Sequence, residues 1–319
     1  MRALDKLKEA TGFLNKYGIE DAVREAEIIL AHCLEIDKTV FFRDNPVISE
    51  DEIKKVDEFL KRRSRREPLQ YILGYVDFYG LKIKVGKGVL IPRPETELLA
   101  EVAIKVIRSQ RINLSIPTGN PPLPPFSKGG MEGFEKGGTG GITNSSLVTR
   151  HSSLSVLDLC TGSGCLALAL AMKFPDAQVY GTDISEVAIR YAKENAKPNC
   201  INNVTFLKGN LFEPIAQLVT FNLIVSNPPY IKRDDIKNLQ PEIKEWEPVE
   251  ALDGGEDGLD YYRAVIPKAK DYLKDGSNLM LELGISQADA VRKFAEQAGF
   301  VNISLIKDYA GIERIIILK

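Results

Sequence analysis

Asn227, Pro228, Pro229 and Tyr230 follow directly on Phe221-Asn222-Leu223-Ile224-Val225-Ser226, an apolar run that reads as a buried strand. A strand that stops there has given up its ladder. Neither proline has an N–H to donate, and Pro228 holds Asn227 in extended geometry. What remains is a set of fixed acceptors, the Asn227 amide oxygen and the backbone carbonyls, with Tyr230 as an aromatic wall. Fixed acceptors without a base suit an unusual chemistry, in which they grip the hydrogens of a planar –NH2 group while its nitrogen attacks. An amide or aromatic amine nitrogen is a poor nucleophile because its lone pair is delocalised. Acceptors on its hydrogens favour the electron-rich, pyramidal form as charge develops, which is transition-state stabilisation by preorganised polar groups. The matching electrophile is a sulfonium methyl, whose charge an aromatic face also favours. The same four residues could instead be a plain turn. Asn120-Pro121-Pro122-Leu123 repeats Asn-Pro-Pro with none of the surrounding pattern, so context decides.

That context begins with Asp158-Leu159-Cys160-Thr161-Gly162-Ser163-Gly164-Cys165, at a strand-to-helix turn. Gly162 and Gly164 have no Cβ, so a ligand can approach the backbone closely, and the following helix presents free N–H groups. Asp183 ends the next strand, 21 residues after Gly162, where a carboxylate can accept both hydroxyls of a ribose. The loop alone leaves a nicotinamide cofactor open, because Ala167 stands where that fingerprint's third glycine tolerates alanine. In an open α/β sheet, ligands bind outside the carboxyl ends of the strands. Gly162, Asp183 and Asn227 are therefore expected to face one crevice.

The elements that must position these residues follow from periodicity. Residues 1–74 carry apolar positions at three- and four-residue spacings, with Gly18 as a stop and Ser49 with Glu52 as a capping pair, which predicts a small all-helical domain. Residues 75–93 change to a period of two around Phe78-Tyr79-Gly80-Leu81, which predicts a β-hairpin linker. From residue 94 a helix opens with Pro94 in its first turn. From residue 154 onward strands and helices alternate, which predicts an α/β domain with a mostly parallel sheet and helices on both faces. The end of the chain reads as two strands around a turn at Gly311. Residues 112–153 are rich in Gly, Pro and Ser and aperiodic, and read as a flexible insertion in the 94–319 domain. The basic run Lys61-Arg62-Arg63 with Arg65-Arg66 reads as a solvated helix face, with docking to an acidic partner or ribosomal RNA as the alternative.

Composition narrows the classes. The chain has 319 residues, 44% of them hydrophobic, and a formal net charge of −2. A core of ordinary size is expected, and no global electrostatic grip on nucleic acid. Two histidines and four cysteines without a C-x-x-C pair give no expectation of a metal. With no apolar signal core in MRALDKLKEA and no run long enough to span a bilayer, a soluble cytoplasmic protein is expected.

The pairing of DLCTGSGC with SNPPY resembles the S-adenosyl-L-methionine-dependent methyltransferases that modify amino nitrogens, the adenine-N6, cytosine-N4 and protein glutamine-N5 enzymes. EPLQYILG, FYGLKIKVGKGVLIPRPETELL, EPVEALDGGEDGLDYYR and DYAGIERI resemble the PrmC/HemK family over nearly the whole chain outside residues 112–153. The resemblance implies a Rossmann-like catalytic domain behind a helical substrate-recognition domain. It also implies methylation of the glutamine N5 in the Gly-Gly-Gln motif of peptide-chain release factors. By the same resemblance, Cys160, Thr161, Gly162, Ser163 and Gly164 line the methionine part of the cofactor, and Asp183 holds the ribose. Asn210 and Leu211 lie by the adenine, Asn227 also touches the cofactor, and Asn227 and Pro228 accept hydrogen bonds from the substrate amide. Pro229 and Tyr230 shape the pocket, with Asn227, Pro228 and Tyr230 as the catalytic set. Pro92 to Glu97 (PRPETE) would border the site. Two positions depart from the family, Cys160 for its usual glycine and Asn210 for its usual acid. Three other readings compete. A ribosomal-protein glutamine is the near rival. A nucleic-acid amino-methyltransferase should carry a basic recognition domain, and a non-catalytic cofactor-binding module should not keep Asn-Pro-Pro-Tyr intact.

Overall fold

A computed structural model describes residues 1–115, 154–216 and 219–319. Helices α1 (Ala3–Lys16), α2 (Ala22–Leu34), α3 (Lys38–Asp44), α4 (Glu50–Arg63) and α5 (Leu69–Leu73) form the first part. They pack around Ala10, Leu14, Ile29, Leu30, Phe41, Val56 and Leu60. The Ser49 side chain accepts from the Glu52 N–H while the Glu52 carboxylate accepts from the Ser49 N–H, so the expected capping box starts α4. Helices α3 and α5 are too short for their periodicity to show in the sequence.

Strands β1 (Tyr75–Phe78) and β2 (Leu81–Lys84) pair antiparallel through a two-residue turn. Tyr79 and Gly80 both have positive φ, 50° and 81°, as a type I′ hairpin turn requires. Helix α6 (Pro94–Ser115) follows. It takes in residues 112–115, the first four of the expected aperiodic insertion. A helix already nucleated gains one hydrogen bond for each residue it adds, so poor local propensity does not stop it at once. The rest of that insertion, with its Asn-Pro-Pro repeat at Asn120, lies outside the described residues.

The larger part contains β3 (Ser155–Leu159), α7 (Cys165–Lys173), β4 (Gln178–Asp183), α8 (Glu186–Ala196), β5 (Val204–Lys208) and β6 (Phe221–Ser226). It continues with α9 (Pro241–Lys244), α10 (Asp260–Ala269), β7 (Leu273–Glu282), α11 (Ala288–Gln297), β8 (Ile303–Lys307) and β9 (Glu313–Leu318). The seven-stranded sheet runs β5-β4-β3-β6-β7-β9-β8. All neighbours from β5 to β7 pair parallel, and β9 is antiparallel to both β7 and β8. Alternate residues of β3 go to opposite faces: Val156 packs with Leu99, Leu168 and Ile189, and Leu157 with Tyr262, Ile266 and Val291. The first connections run outward from β3 to β4 and β5, and β6 then returns to β3's other edge. This reversal of strand order is where an α/β sheet opens a crevice.

Lys61 and Arg65 of the basic run are exposed, as a solvated face requires, but Arg62, Arg63 and Arg66 are drawn into ion pairs. Arg63 is only 5% exposed. Its guanidinium donates to Glu25 on α2 at 2.5 Å and to Glu242 on α9 at 2.9 Å, and Arg66 donates to the other Glu242 oxygen at 3.0 Å. Arg62 pairs with Glu67. A run of like charge can be buried when carboxylates from separate elements neutralise it, and those partners lie too far along the chain to be read locally. The helical part is thereby joined to the segment that follows Tyr230. The hairpin is joined to the sheet part by Asn195, which is fully buried. Its Oδ1 accepts from the Lys84 N–H, and its Nδ2 donates to the Lys84 and Ser163 carbonyls.

Candidate active site

Leu159 pairs with Thr182 on one side and Ser226 on the other, so Cys160, Asp183 and Asn227 emerge side by side at the carboxyl ends of three adjacent strands. They open into a cavity of about 520 Å³ whose walls include Cys160, Thr161, Gly162, Ser163, Asp183, Asn210, Leu211, Asn227 and Pro229. The hairpin exit closes it from above with Gly88, Val89, Leu90 and Pro92, and Thr96 of α6 reaches the same wall. PRPETE thus borders the cavity.

At one end the wall is mostly backbone. The Asp158 carboxylate is buried and accepts from the Thr161 hydroxyl at 2.6 Å and the Ala167 N–H at 3.2 Å, which folds the loop back onto the start of α7. Burial pushes its carboxyl up to about 7, against the pull of those two bonds. Asp183 accepts from the Gly162 N–H at 2.9 Å through one oxygen and from the Ser185 N–H at 2.8 Å through the other. Each oxygen keeps a lone pair for a ligand. Burial raises the Asp183 carboxyl, and the two N–H groups oppose that. Gly162 has φ +54° and open space where a Cβ would stand, whereas a Cβ on Gly164 would meet Ala192 and Phe206 at 2.9 and 3.0 Å. Gly162 faces the cavity. Gly164 does not, and its bareness lets α7 start close against α8 and β5. The Thr182 hydroxyl also reaches the cavity wall, buried and without a protein partner.

Cys160 and Asn210, the two positions expected to depart from the resembled pattern, sit in this end. Cys160 has φ +57°, the left-handed region that favours glycine, so its side chain is accommodated with backbone strain. Its thiol is pushed up by burial and by Asp183 and Asp158. Asn210 is exposed, and its Nδ2 donates to Glu213 at 3.4 Å, which leaves its amide oxygen outward.

At the other end the wall is side chain held by side chain. Asn227 Nδ2 donates to Thr96 Oγ1 at 2.9 Å, which leaves Asn227 Oδ1 free. Thr96 Oγ1 donates to Glu282 Oε2 at 2.9 Å, and the Tyr230 hydroxyl donates to Glu282 Oε1 at 3.2 Å. Tyr230 is not a cavity wall: its ring packs into the core beneath, and burial raises its hydroxyl. Pro228 is likewise buried, between Asn227 and Pro229, which line the cavity. Sequence reading passed over Asn195 and Glu282, and gave no role to Asp158 inside the glycine motif or to Thr96 inside PRPETE. One signal was there for Glu282, an acid inside Leu279-Met280-Leu281-Glu282-Leu283, where burial demands partners. Among the described residues no group of three or more His, Cys, Asp or Glu is placed to hold a metal ion. No helix among them is long and apolar enough to cross a membrane.

The pocket fits a nucleoside-sized ligand with an open carboxylate, an orphaned hydroxyl and a bare glycine on one wall. Comparison with known proteins bears on what it serves. Residues 5–74 match the PrmC N-terminal domain, and residues 150–305 match a methyltransferase domain. The release factor glutamine methyltransferase of Thermodesulfovibrio yellowstonii is 43% identical over 100% of this chain and 98% of its own. That of Geobacter sulfurreducens is 37% identical over 96% of this chain and 92% of its own. The crystal structure of the hMettl16 catalytic domain in complex with MAT2A 3′UTR hairpin 6 shares the fold at 13% identity, with a TM-score of 0.51 and 82% of each chain covered. With full-length relatives at that identity, the chain belongs to the release factor glutamine methyltransferase family.

Proposed function

We propose that this chain, a methyltransferase by its family, moves a methyl group onto the side-chain amide nitrogen, N5, of the glutamine in a release factor's Gly-Gly-Gln motif. The observation that carries the reading is the Asn227 amide, pinned through Nδ2 by Thr96 with Oδ1 left free at the cavity. S-adenosyl-L-methionine, bound in the glycine-loop end, supplies the methyl group on a positively charged sulfur. Asp183 would hold its ribose with the lone pairs that Gly162 and Ser185 leave. The Cys160–Ser163 stretch would lie along the methionine portion, and Asn210 and Leu211 would border the adenine.

Asn227 Oδ1 and the Pro228 carbonyl would take the two hydrogens of the substrate –NH2. Pro229 limits the pocket, and Tyr230 braces it from behind through Glu282. The nitrogen would gain its bond to the methyl carbon as the carbon–sulfur bond breaks, with the cofactor leaving as neutral S-adenosyl-L-homocysteine. The surplus proton would stay on nitrogen, hydrogen-bonded to the acceptors, until it passes to solvent as the site opens. No base is needed if the acceptors are preorganised, because their bonds strengthen as the nitrogen turns tetrahedral. The hairpin exit is held in place by Glu247, which accepts from the Ile91 N–H at 3.1 Å and from Arg93 at 2.5 Å. Residues 1–74 would recognise the release factor, 75–93 link, and 94–319 catalyse, in the cytoplasm where release factors work.

The test offers labelled S-adenosyl-L-methionine with purified release factors, ribosomal proteins and DNA separately. Tandem mass spectrometry should place one methyl on the Gly-Gly-Gln glutamine. Label on a ribosomal-protein glutamine or on DNA adenine, with none on release factor, would refute it.

A further inference from the structure

We infer that Glu282, acting through Thr96, sets which end of the Asn227 amide faces the cavity, so that Thr96 and Glu282 are positioning residues for methyl transfer. The inference rests on the acceptor role proposed for Asn227. Three side chains make an unbroken line, Asn227 Nδ2 to Thr96 Oγ1 to Glu282 Oε2, with both links 2.9 Å. Thr96 is 3% exposed and Glu282 1%, so water does not compete along it.

Donor counting fixes its direction. An ionised carboxylate only accepts, and a hydroxyl has one proton. The Thr96 proton therefore goes to Glu282. Its oxygen is left as an acceptor toward Asn227, and only the –NH2 end of that amide can fill it. Oδ1 is turned to the other side. An amide flipped about its last torsion would set –NH2 against the substrate's own –NH2, donor against donor.

The line can also run backward. A protonated Glu282 donates to Thr96 Oγ1, Thr96 donates to Asn227 Oδ1, and the amide turns its –NH2 outward with every link still bonded. The groups that face Glu282 are Glu95 and Thr96 of α6, Cys165 of α7, Tyr230 after β6, Tyr262 of α10 and Arg314 of β9. Burial, with Glu95, drives the Glu282 carboxyl up to about 7, against the Thr96 and Tyr230 bonds and Arg314. The active direction is the ionised one, present above that value and lost as pH falls through it.

Thr96→Val keeps the shape and removes the link, and Thr96→Ser keeps the link. Single-turnover methylation of a release factor is measured for both, with S-adenosyl-L-methionine affinity by calorimetry. Thr96→Val should slow the saturated rate about tenfold, the worth of one hydrogen bond in amide orientation, with cofactor affinity unchanged, and Thr96→Ser should restore it. The wild-type rate should show an acid limb near 7 that Glu282→Gln abolishes, since Gln still offers Thr96 an acceptor and does not titrate. Asp158 also titrates near 7, but in the cofactor end, so its limb belongs to cofactor affinity and survives Glu282→Gln. A wild-type rate in Thr96→Val, beside an inactive Asn227→Ala, overturns this inference and leaves the Asn227 role standing. An active Asn227→Ala overturns both. A Thr96→Val loss that Ser does not restore, or that takes cofactor affinity with it, marks a structural role and overturns the inference. So does an acid limb in the rate that persists in Glu282→Gln.

Discussion

The two ends of the cavity are built by different means. The glycine-loop end is backbone held by two carboxylates: a turn at positive φ, N–H groups from Gly162 and Ser185 on Asp183, and Asp158 tying the loop to α7. The asparagine end is one side chain oriented by a second that is oriented by a third, drawn from the end of β6, α6 and the last residue of β7. A backbone-built wall depends on conformation and tolerates many side chains where φ allows. A side-chain relay depends on the identity of every member. Changes at the asparagine end should therefore strike the rate, and changes at the glycine-loop end should strike affinity or stability.

The largest effect tests that division most directly. Asn227→Ala should keep S-adenosyl-L-methionine affinity and lose turnover by about 10²–10³, as for removal of one preorganised transition-state partner. Calorimetry and single-turnover methylation on the same preparation separate the two quantities, and a parallel loss of both would erase the contrast. Asp183→Ala should do the reverse. Losing hydrogen bonds to a charged group should weaken the cofactor about ten- to hundredfold, while the rate at saturating cofactor changes far less. Cys160→Gly should be the mildest. Relief of a left-handed non-glycine residue, worth roughly 1–2 kcal/mol, is partly offset by glycine's extra chain entropy of about 0.5–1 kcal/mol. An unfolding free energy raised by up to about 1 kcal/mol, read as a higher urea midpoint at unchanged slope, with methylation kept, would show that the thiol is tolerated rather than a working part.

The same contrast explains what could be read from the residues alone. The glycine loop, Asp183 and the stop at Asn227 are local patterns, each a strand followed by its turn, so their shared crevice followed from alternation. The hairpin turn and the Ser49 cap were legible for the same reason. Thr96 and Glu282 were not, because their partners stand 131, 186 and 52 residues away and no periodicity carries a contact over such distances. Tyr230 was misplaced as a wall because its ring type was legible and its rotamer was not. Gly164 was assigned to a ligand because the motif's glycines look alike in sequence. Only the neighbouring Ala192 and Phe206 show which gap each one serves. Arg63 was read as solvated because its two carboxylates come from α2 and from α9.

That guanidinium bears on how the protein can be taken apart. Residues 5–74 match one family model and the methyltransferase model begins at 150, which invites a cut between them and the use of either piece as a portable module. Arg63 makes such a cut costly. Freed of residues 1–74, Glu242 would lose Arg63 and Arg66 together, and the Val89 carbonyl would lose the Tyr71 hydroxyl that caps it at 2.5 Å. Glu242 would then face water, so no buried charge is stranded; what the cut removes is the set of charge-assisted hydrogen bonds that anchor this stretch, each worth about 1.5–3 kcal/mol against the small net stability of a domain. Both losses fall on chain that runs to the cavity, one just past Tyr230 and one in the hairpin exit. A trimmed catalytic piece is therefore expected to express as a looser protein with a disordered cavity rim, and sequence homology is a poor guide to where this molecule can be severed.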